Sequence, residues 1–307
     1  MKPLTSLPRS ILTRRILTFQ PHTLRTITMS APTPTDAPNG AAKKAPQIPK
    51  GKTELKILML HGYTQSGPVF SSKTKALSKL LTKAVSPAPY NLHPTLIYPT
   101  APHRLRPSDI PGYVPSDDTP SGEEDDSDNW GWCRKDEATN TYRGFSEGMS
   151  TIASSIAEAG GVDGVLGFSQ GGAIAALVAA ALEQPHREPT PNAQEHSTWL
   201  TELRAANNGK PLKFCVVYSG FYATPDDLQW LYSSPIATPT LHFLGSLDTV
   251  VEESRSQGLV ERCVDPMVVV HPGGHYVPVA KDWVLVLIGW LRKQYEPKTT
   301  KKDDSNL

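Results

Sequence analysis

Val162–Leu182 reads VDGVLGFSQGGAIAALVAAAL, and its two halves obey different rules. Val162–Gly167 is an apolar run with the length of a buried central strand. Gly172–Leu182 is an Ala-, Ile-, Leu- and Val-rich segment of helical length, fit for burial. Between them Gly167-Phe168-Ser169-Gln170-Gly171 fits Gly-x-Ser-x-Gly, a strained turn from strand to helix that lifts a serine hydroxyl above the carboxyl edge of a sheet. The glycines let backbone pack closely on both sides of that strained residue. A strand that feeds directly into a helix begins a βαβ unit.

The rest of the chain repeats the alternation. Leu55–Leu60 is a short apolar run ending at His61-Gly62, Val69–Val85 has helical spacing, and Thr95–Tyr98 returns to strand character. Tyr142–Ala159 is predicted helical. Strands are predicted at Leu212–Tyr218, Thr240–Leu244 and Met267–Val270, with a closing helix at Val279–Leu291. Strands separated by helices imply an α/β fold with a doubly wound, mostly parallel sheet.

The pentapeptide by itself discriminates poorly, because the chain contains it twice. Gly144-Phe145-Ser146-Glu147-Gly148 matches equally well as a string. Thr139–Arg143 before it is polar and lacks a strand pattern, so Ser146 is expected at a helix start and Ser169 as the nucleophile. An alkyl hydroxyl is a poor nucleophile at neutral pH and needs a base beside it, oriented by an acid. In this topology the order is Ser, then Asp or Glu, then His, each after a later strand. Asp248 follows Thr240–Leu244 through Gly245-Ser246-Leu247, and His275 follows Met267–Val270 through His271-Pro272-Gly273-Gly274. His271 continues its strand directly, whereas His275 sits beyond the glycines on a loop that can reach over the serine. His61 and His242 are weaker bases by position. Asp226 and Asp227 follow Thr224-Pro225 in what reads as a helix start, where an acid satisfies free N–H groups. A developing oxyanion needs two donors: the N–H of Gln170, and one from the loop after the first strand, assigned to Tyr63 with Thr64 as the fallback.

Composition excludes other classes. Lys plus Arg is 31 and Asp plus Glu is 30, so the net charge of +1 supplies no broad attraction for nucleic acid or an anionic membrane. Three cysteines, Cys133, Cys215 and Cys263, are too scattered for a disulfide framework or a zinc site. The longest apolar stretch, Gly172–Leu182, is too short to span a bilayer. No metal and no cofactor are expected. Gly51-Lys52-Thr53 mimics the end of a phosphate loop, but Pro46 stands where its glycine is required.

Three segments differ from the core. Residues 1–50 begin with five basic residues and no acid over the first 35, then continue proline-rich. This fits a plain disordered extension, with a cytoplasmic protein, or a transit-like segment, with a mitochondrial one. Met29 is a second candidate start. Within residues 103–129 the run from Asp117 to Asp128 holds seven acids and no base, and the segment reads as a mobile acidic loop. Its roles as a lid leading into Trp130 and Trp132, or as a solvated loop without catalytic consequence, both stand. Calcium binding is the tempting alternative there, and the mobile acidic loop remains the default reading. Residues 184–210 read as a polar insertion with one helical candidate at Thr198–Ala206, and 296–307 as a disordered tail. The predicted single domain is 51–295.

With these residues assembled, the chain resembles the FSH family of small serine hydrolases of the α/β-hydrolase superfamily, over roughly residues 55–292. The likeness rests on Leu58–Gly67, Gly167–Ala173, Tyr218–Phe221, Gly245–Val251, His271–Pro278 and the acidic stretch before Trp130-Gly131-Trp132. It implies an α/β-hydrolase fold and a triad of Ser169, Asp248 and His275. It also implies hydrolysis of acyl esters or thioesters, free or carrier-bound. The acyl-protein thioesterase and carboxylesterase family, with a similar elbow, is the neighbouring reading, and an idle binding protein on the same fold the other. Trp130, Trp132, Phe168, Phe221, Tyr222 and Tyr276 are the candidate pocket walls, whose aromatic character suits an apolar acyl chain.

Overall fold

The computed structural model describes residues 48–106, 109–110, 128–194 and 198–296. The basic N-terminal segment, most of the acidic segment and the C-terminal tail lie outside the described residues, so the readings of those stretches rest on sequence alone.

In chain order the elements are β1 (Thr53–Leu60), α1 (Gly67–Lys73), α2 (Lys75–Val85), β2 (Leu92–Ile97), β3 (His103–Arg104), β4 (Trp130–Gly131), β5 (Arg134–Asp136) and β6 (Thr141–Arg143). There follow α3 (Phe145–Glu158), β7 (Gly164–Phe168), α4 (Gln170–Leu182), α5 (Pro191–Gln194), α6 (Thr198–Ala206) and β8 (Phe214–Tyr218). A 3-10 helix (Asp226–Tyr232), β9 (Thr240–Gly245), α7 (Glu253–Val260), β10 (Met267–His271) and α8 (Lys281–Tyr295) complete the series. Six strands form one sheet in the order β10-β9-β8-β7-β1-β2, and every pairing in it is parallel.

That order shows why the site lies where it does. From β1 the chain moves outward to β2, then returns to place β7 on the other side of β1 and proceeds to β10. The crossovers therefore leave in opposite directions between β1 and β7, and a crevice opens at the carboxyl ends of these two strands. Ser169 follows β7 and His61-Gly62-Tyr63 follows β1.

The core lies on both faces of the sheet, as a doubly wound parallel sheet requires. One apolar layer joins inward residues of β1, β7 and β8 to α3, α4 and α6; the other joins the opposite face to α1, α2 and α8. Every residue of β7 and β8 is buried, so these strands carry apolar runs rather than alternation. Every residue of α4 from Gly171 to Leu182 is also buried, which the small Ala side chains allow. The segment read as a polar insertion contributes to this core, because α6 buries Trp199, Leu200 and Leu203. The predicted helix 69–85 is two helices, broken at Thr74. The Thr74 hydroxyl donates to Phe70 O and pairs with the Tyr98 hydroxyl, each at 2.8 Å, holding the residue out of helical continuation.

Candidate active site

Ser169 occupies the junction of β7 and α4 with φ 54° and ψ −120°, a backbone conformation that a residue with a side chain adopts only at a cost. The surrounding packing holds it there. Ser169 N–H donates to Tyr218 O at 2.8 Å. A Cβ at Gly167 would fall on the Gly171 carbonyl, and one at Gly171 on the carbonyl oxygens of Leu60 and His61. Both flanking glycines of the pentapeptide are thus required by close backbone approach.

The loops after β9 and β10 bring two side chains to this turn. His275 Nε2 lies 2.8 Å from Ser169 Oγ, and His275 Nδ1 lies 2.8 Å from Asp248 Oδ2. With the proton on Nδ1, the imidazole donates to the carboxylate and accepts from the serine hydroxyl. The remaining carboxylate oxygen of Asp248 accepts the N–H groups of Val250 (2.9 Å) and Val251 (3.0 Å). Burial pushes the Asp248 carboxyl upward, but these donors and the His275 imidazole outweigh it, and the net direction is down. The two loops are themselves tied: Leu247 N–H donates to Gly273 O at 3.0 Å and Ser246 N–H to His271 O at 2.9 Å. Phe168 supports the imidazole, with ring centroids 4.9 Å apart.

The rival residues are occupied elsewhere. His271 ends β10, is buried, and packs between Tyr276 (5.1 Å) and Trp283 (6.0 Å). His61 Nε2 accepts Ala101 N–H at 3.0 Å while Nδ1 pairs with Gly62 O, and burial lowers its pKa to about 4. His242 is inside β9, and burial likewise lowers it to about 4. Asp226 and Asp227 begin the 3-10 helix, exposed. Ser146 lies in the first turn of α3.

If Asp248 orients His275, Asp248→Asn should preserve the fold and slow turnover by about 10⁴-fold, because the amide favours the wrong imidazole tautomer. Steady-state kinetics on a chromogenic ester, beside a thermal melt, checks it. A loss under tenfold would move the orienting acid elsewhere.

Two backbone segments meet at the serine. Gln170 is the first residue of α4, so its N–H is among those a helix leaves without an internal acceptor. Its side chain is strapped to the neighbouring segment: Trp132 N–H donates to Gln170 Oε1 and Gln170 Nε2 donates to Cys133 O, each at 2.8 Å. The loop after β1 runs directly over the turn, since a Cβ at Gly62 would come within 3.3 Å of Ser169 Cβ. Thr64 N–H donates to Trp130 O at 2.9 Å, so the fallback donor is already taken and Tyr63 keeps the assignment.

The walls of the cleft differ from the aromatic lining expected. Ser169 opens into a cleft of about 1010 Å³, and of the six aromatic candidates only Phe221 lines it. Trp132 is fully buried, its indole N–H donating to His61 O at 2.9 Å. Trp130 donates to Asp128 Oδ1, Phe168 lies beneath His275, Tyr222 lies under the Arg262 guanidinium, and Tyr276 covers His271. Each of these five aromatics satisfies a packing or hydrogen-bond demand of its own. The walls instead include Tyr142, Ile174 and Val251, together with charged residues of the β5–β6 hairpin and Arg255 of α7. Sequence reading missed both elements. The one available signal is Asn140, which turns between the two short strands at φ 48°. Among the described residues no group of three or more His, Cys, Asp or Glu is placed to hold a metal ion, and no helix is long and apolar enough to cross a membrane.

Comparison with known proteins converges on one family. The model of the family described as Serine hydrolase (FSH1) matches residues 51–286. A Saccharomyces cerevisiae protein named Family of serine hydrolases 2 is 31% identical over 245 residues, covering 77% of this chain and 97% of that one. Esterase OVCA2 of Danio rerio is 30% identical over 238 residues, covering 74% and 92%. A Schizosaccharomyces pombe protein named Dihydrofolate reductase is 35% identical over 226 residues, 73% of this chain; the chain spans only 44% of that protein's length.

Proposed function

We propose that this chain, which belongs to the FSH1 serine hydrolase family, cleaves carboxylic esters or thioesters of acyl substrates through an acyl-enzyme formed on Ser169. The observation that carries the reading is the unbroken hydrogen-bonded chain from Ser169 Oγ through His275 to Asp248 at the floor of an open cleft. Ser169 Oγ attacks the acyl carbonyl carbon while its proton passes to His275 Nε2. The carbonyl oxygen becomes an oxyanion and is met by the N–H groups of Gln170 and Tyr63, which are fixed before the charge develops. Collapse breaks the bond to the alkoxide or thiolate, and His275 returns the proton to it. Water, deprotonated by His275, then attacks the acyl-enzyme, releasing the acid and restoring the serine hydroxyl.

The name of the zebrafish relative as an esterase supports the ester half of this reading. A fluorophosphonate probe tests the whole. The folded protein should take up one equivalent, located on Ser169 by peptide mass analysis, and lose its turnover of p-nitrophenyl esters in proportion. A folded protein that neither labels nor hydrolyses any ester of a graded chain-length series would instead be a binding protein on this fold.

A further inference from the structure

We propose that Arg255, stacked on Phe221, forms a subsite for an oxyanion group of the substrate, a carboxylate or a phosphate, in the cleft beside Ser169; this deepens the hydrolase reading and rests on it. The first support is the charge of the walls. Among the described residues five cations line the cleft against three acids, and each of these acids is already matched. Asp109 pairs with Arg134 at 3.2 Å, Glu137 with Lys135 at 2.6 Å, and Asp136 with Arg143. Arg106 and Arg255 are left over, and among the described residues no carboxylate pairs with the Arg255 guanidinium. A cleft built for a wholly apolar acyl substrate has no use for a half-buried, unmatched guanidinium, since removing that charge from water costs free energy.

The second support is the way the side chain is held. The Arg255 guanidinium lies over the Phe221 ring, 4.1 Å from its centroid. A guanidinium held over a ring face by cation–π attraction spends no N–H donor on that contact, which leaves its donors for a bidentate partner. The backbone beneath is tied down. Tyr222 N–H donates to Arg255 O at 3.3 Å, and Ser256 Oγ donates to Gly220 O at 2.8 Å, so the first turn of α7 is fastened to the 220–222 loop. That loop in turn packs on α4 next to the nucleophile, where a Cβ on Gly172 would come within 3.1 Å of Gly220 Cα. Arg255, Phe221 and Ser169 thus line one cleft on one rigid frame, the arrangement that binds a planar anion with little ordering cost.

The anion has two possible places, the far end of the acyl chain or the leaving group. Two pairs of compounds separate them, assayed with the full-length protein. The acyl arm compares p-nitrophenyl half-esters of four- to eight-carbon dicarboxylic acids with their methyl-capped diesters. The leaving-group arm compares an acyl thioester of phosphopantetheine with that of pantetheine. In one arm kcat/KM should favour the anionic compound, and Arg255→Met should lower the anionic-to-neutral ratio by about ten- to a hundredfold, the worth of a hydrogen bond to a charged group, mainly through KM. Arg255→Lys should restore part of that ratio, and raising the salt should erode the wild-type preference. Turnover of neutral compounds with no anion preference in either arm overturns the subsite alone, as does a preference that survives in Arg255→Met. A folded protein inert towards every compound overturns the subsite and the hydrolase reading together.

Discussion

Ser169→Ala is expected to lower ester turnover by about 10⁶-fold, the scale on which a triad nucleophile is lost, while Ser146→Ala leaves it within a few-fold. The two serines share a pentapeptide, so the contrast isolates what surrounds them. Ser169 stands outside helical geometry, at φ 54°, on the end of a fully buried strand and 2.8 Å from an imidazole nitrogen. Ser146 is held in the first turn of α3 and lines a small pocket with Trp199, Trp230 and Leu228, with no histidine among its described lining residues. Its second glycine serves another end: a Cβ at Gly148 would fall on the Trp132 carbonyl, which is a demand of helix packing rather than of a turn. The measurement is kcat/KM on a short p-nitrophenyl ester for both variants, with circular dichroism to show that each folds. Comparable losses from both substitutions in folded proteins would remove Ser169 from its role.

His275→Ala should be as damaging as Ser169→Ala, and the double variant no worse than either, because residues that act as one unit do not lose function additively. His271→Ala should behave differently. Its ring is buried between Tyr276 and Trp283, and neither ring nitrogen has a hydrogen-bond partner among the described residues. Truncation there removes packing, at a cost of about 3 kcal/mol of stability, and leaves the relay from Ser169 to Asp248 in place. Kinetics and thermal melts on the three variants decide the matter. Abolished turnover in a folded His271→Ala protein, with activity retained in His275→Ala, would reverse the assignment.

Much of the fold and of the candidate site was legible because it rests on short-range rules. The runs at Leu55–Leu60, Leu212–Tyr218 and Thr240–Leu244 are apolar at most positions, as strands covered on both faces must be; the first and third lie within sheet strands, and the second contains β8, which starts at Phe214. The charged β5–β6 hairpin and α7 gave no such signal. Their segments are short and polar, and their periodicity is too weak to read.

The order of strand, glycine turn and helix around Ser169, and the carriage of Asp248 and His275 on loops after successive strands, followed from the sequence alone. Steric limits on backbone approach and the demand to bury apolar runs act over a few neighbouring residues, and so leave a local mark. Tertiary structure decided the rest. It sent His271 into the core and His275 to the serine, though they stand four positions apart. It withdrew Trp132 to a hydrogen bond with His61 O, and set Arg134, Lys135, Arg143 and Arg255 around the cleft in place of an aromatic wall. Whether a polar or aromatic side chain faces a cleft depends on partners supplied by segments far away in the chain, such as the Phe221 ring that holds Arg255. No pattern within one segment records the approach of another.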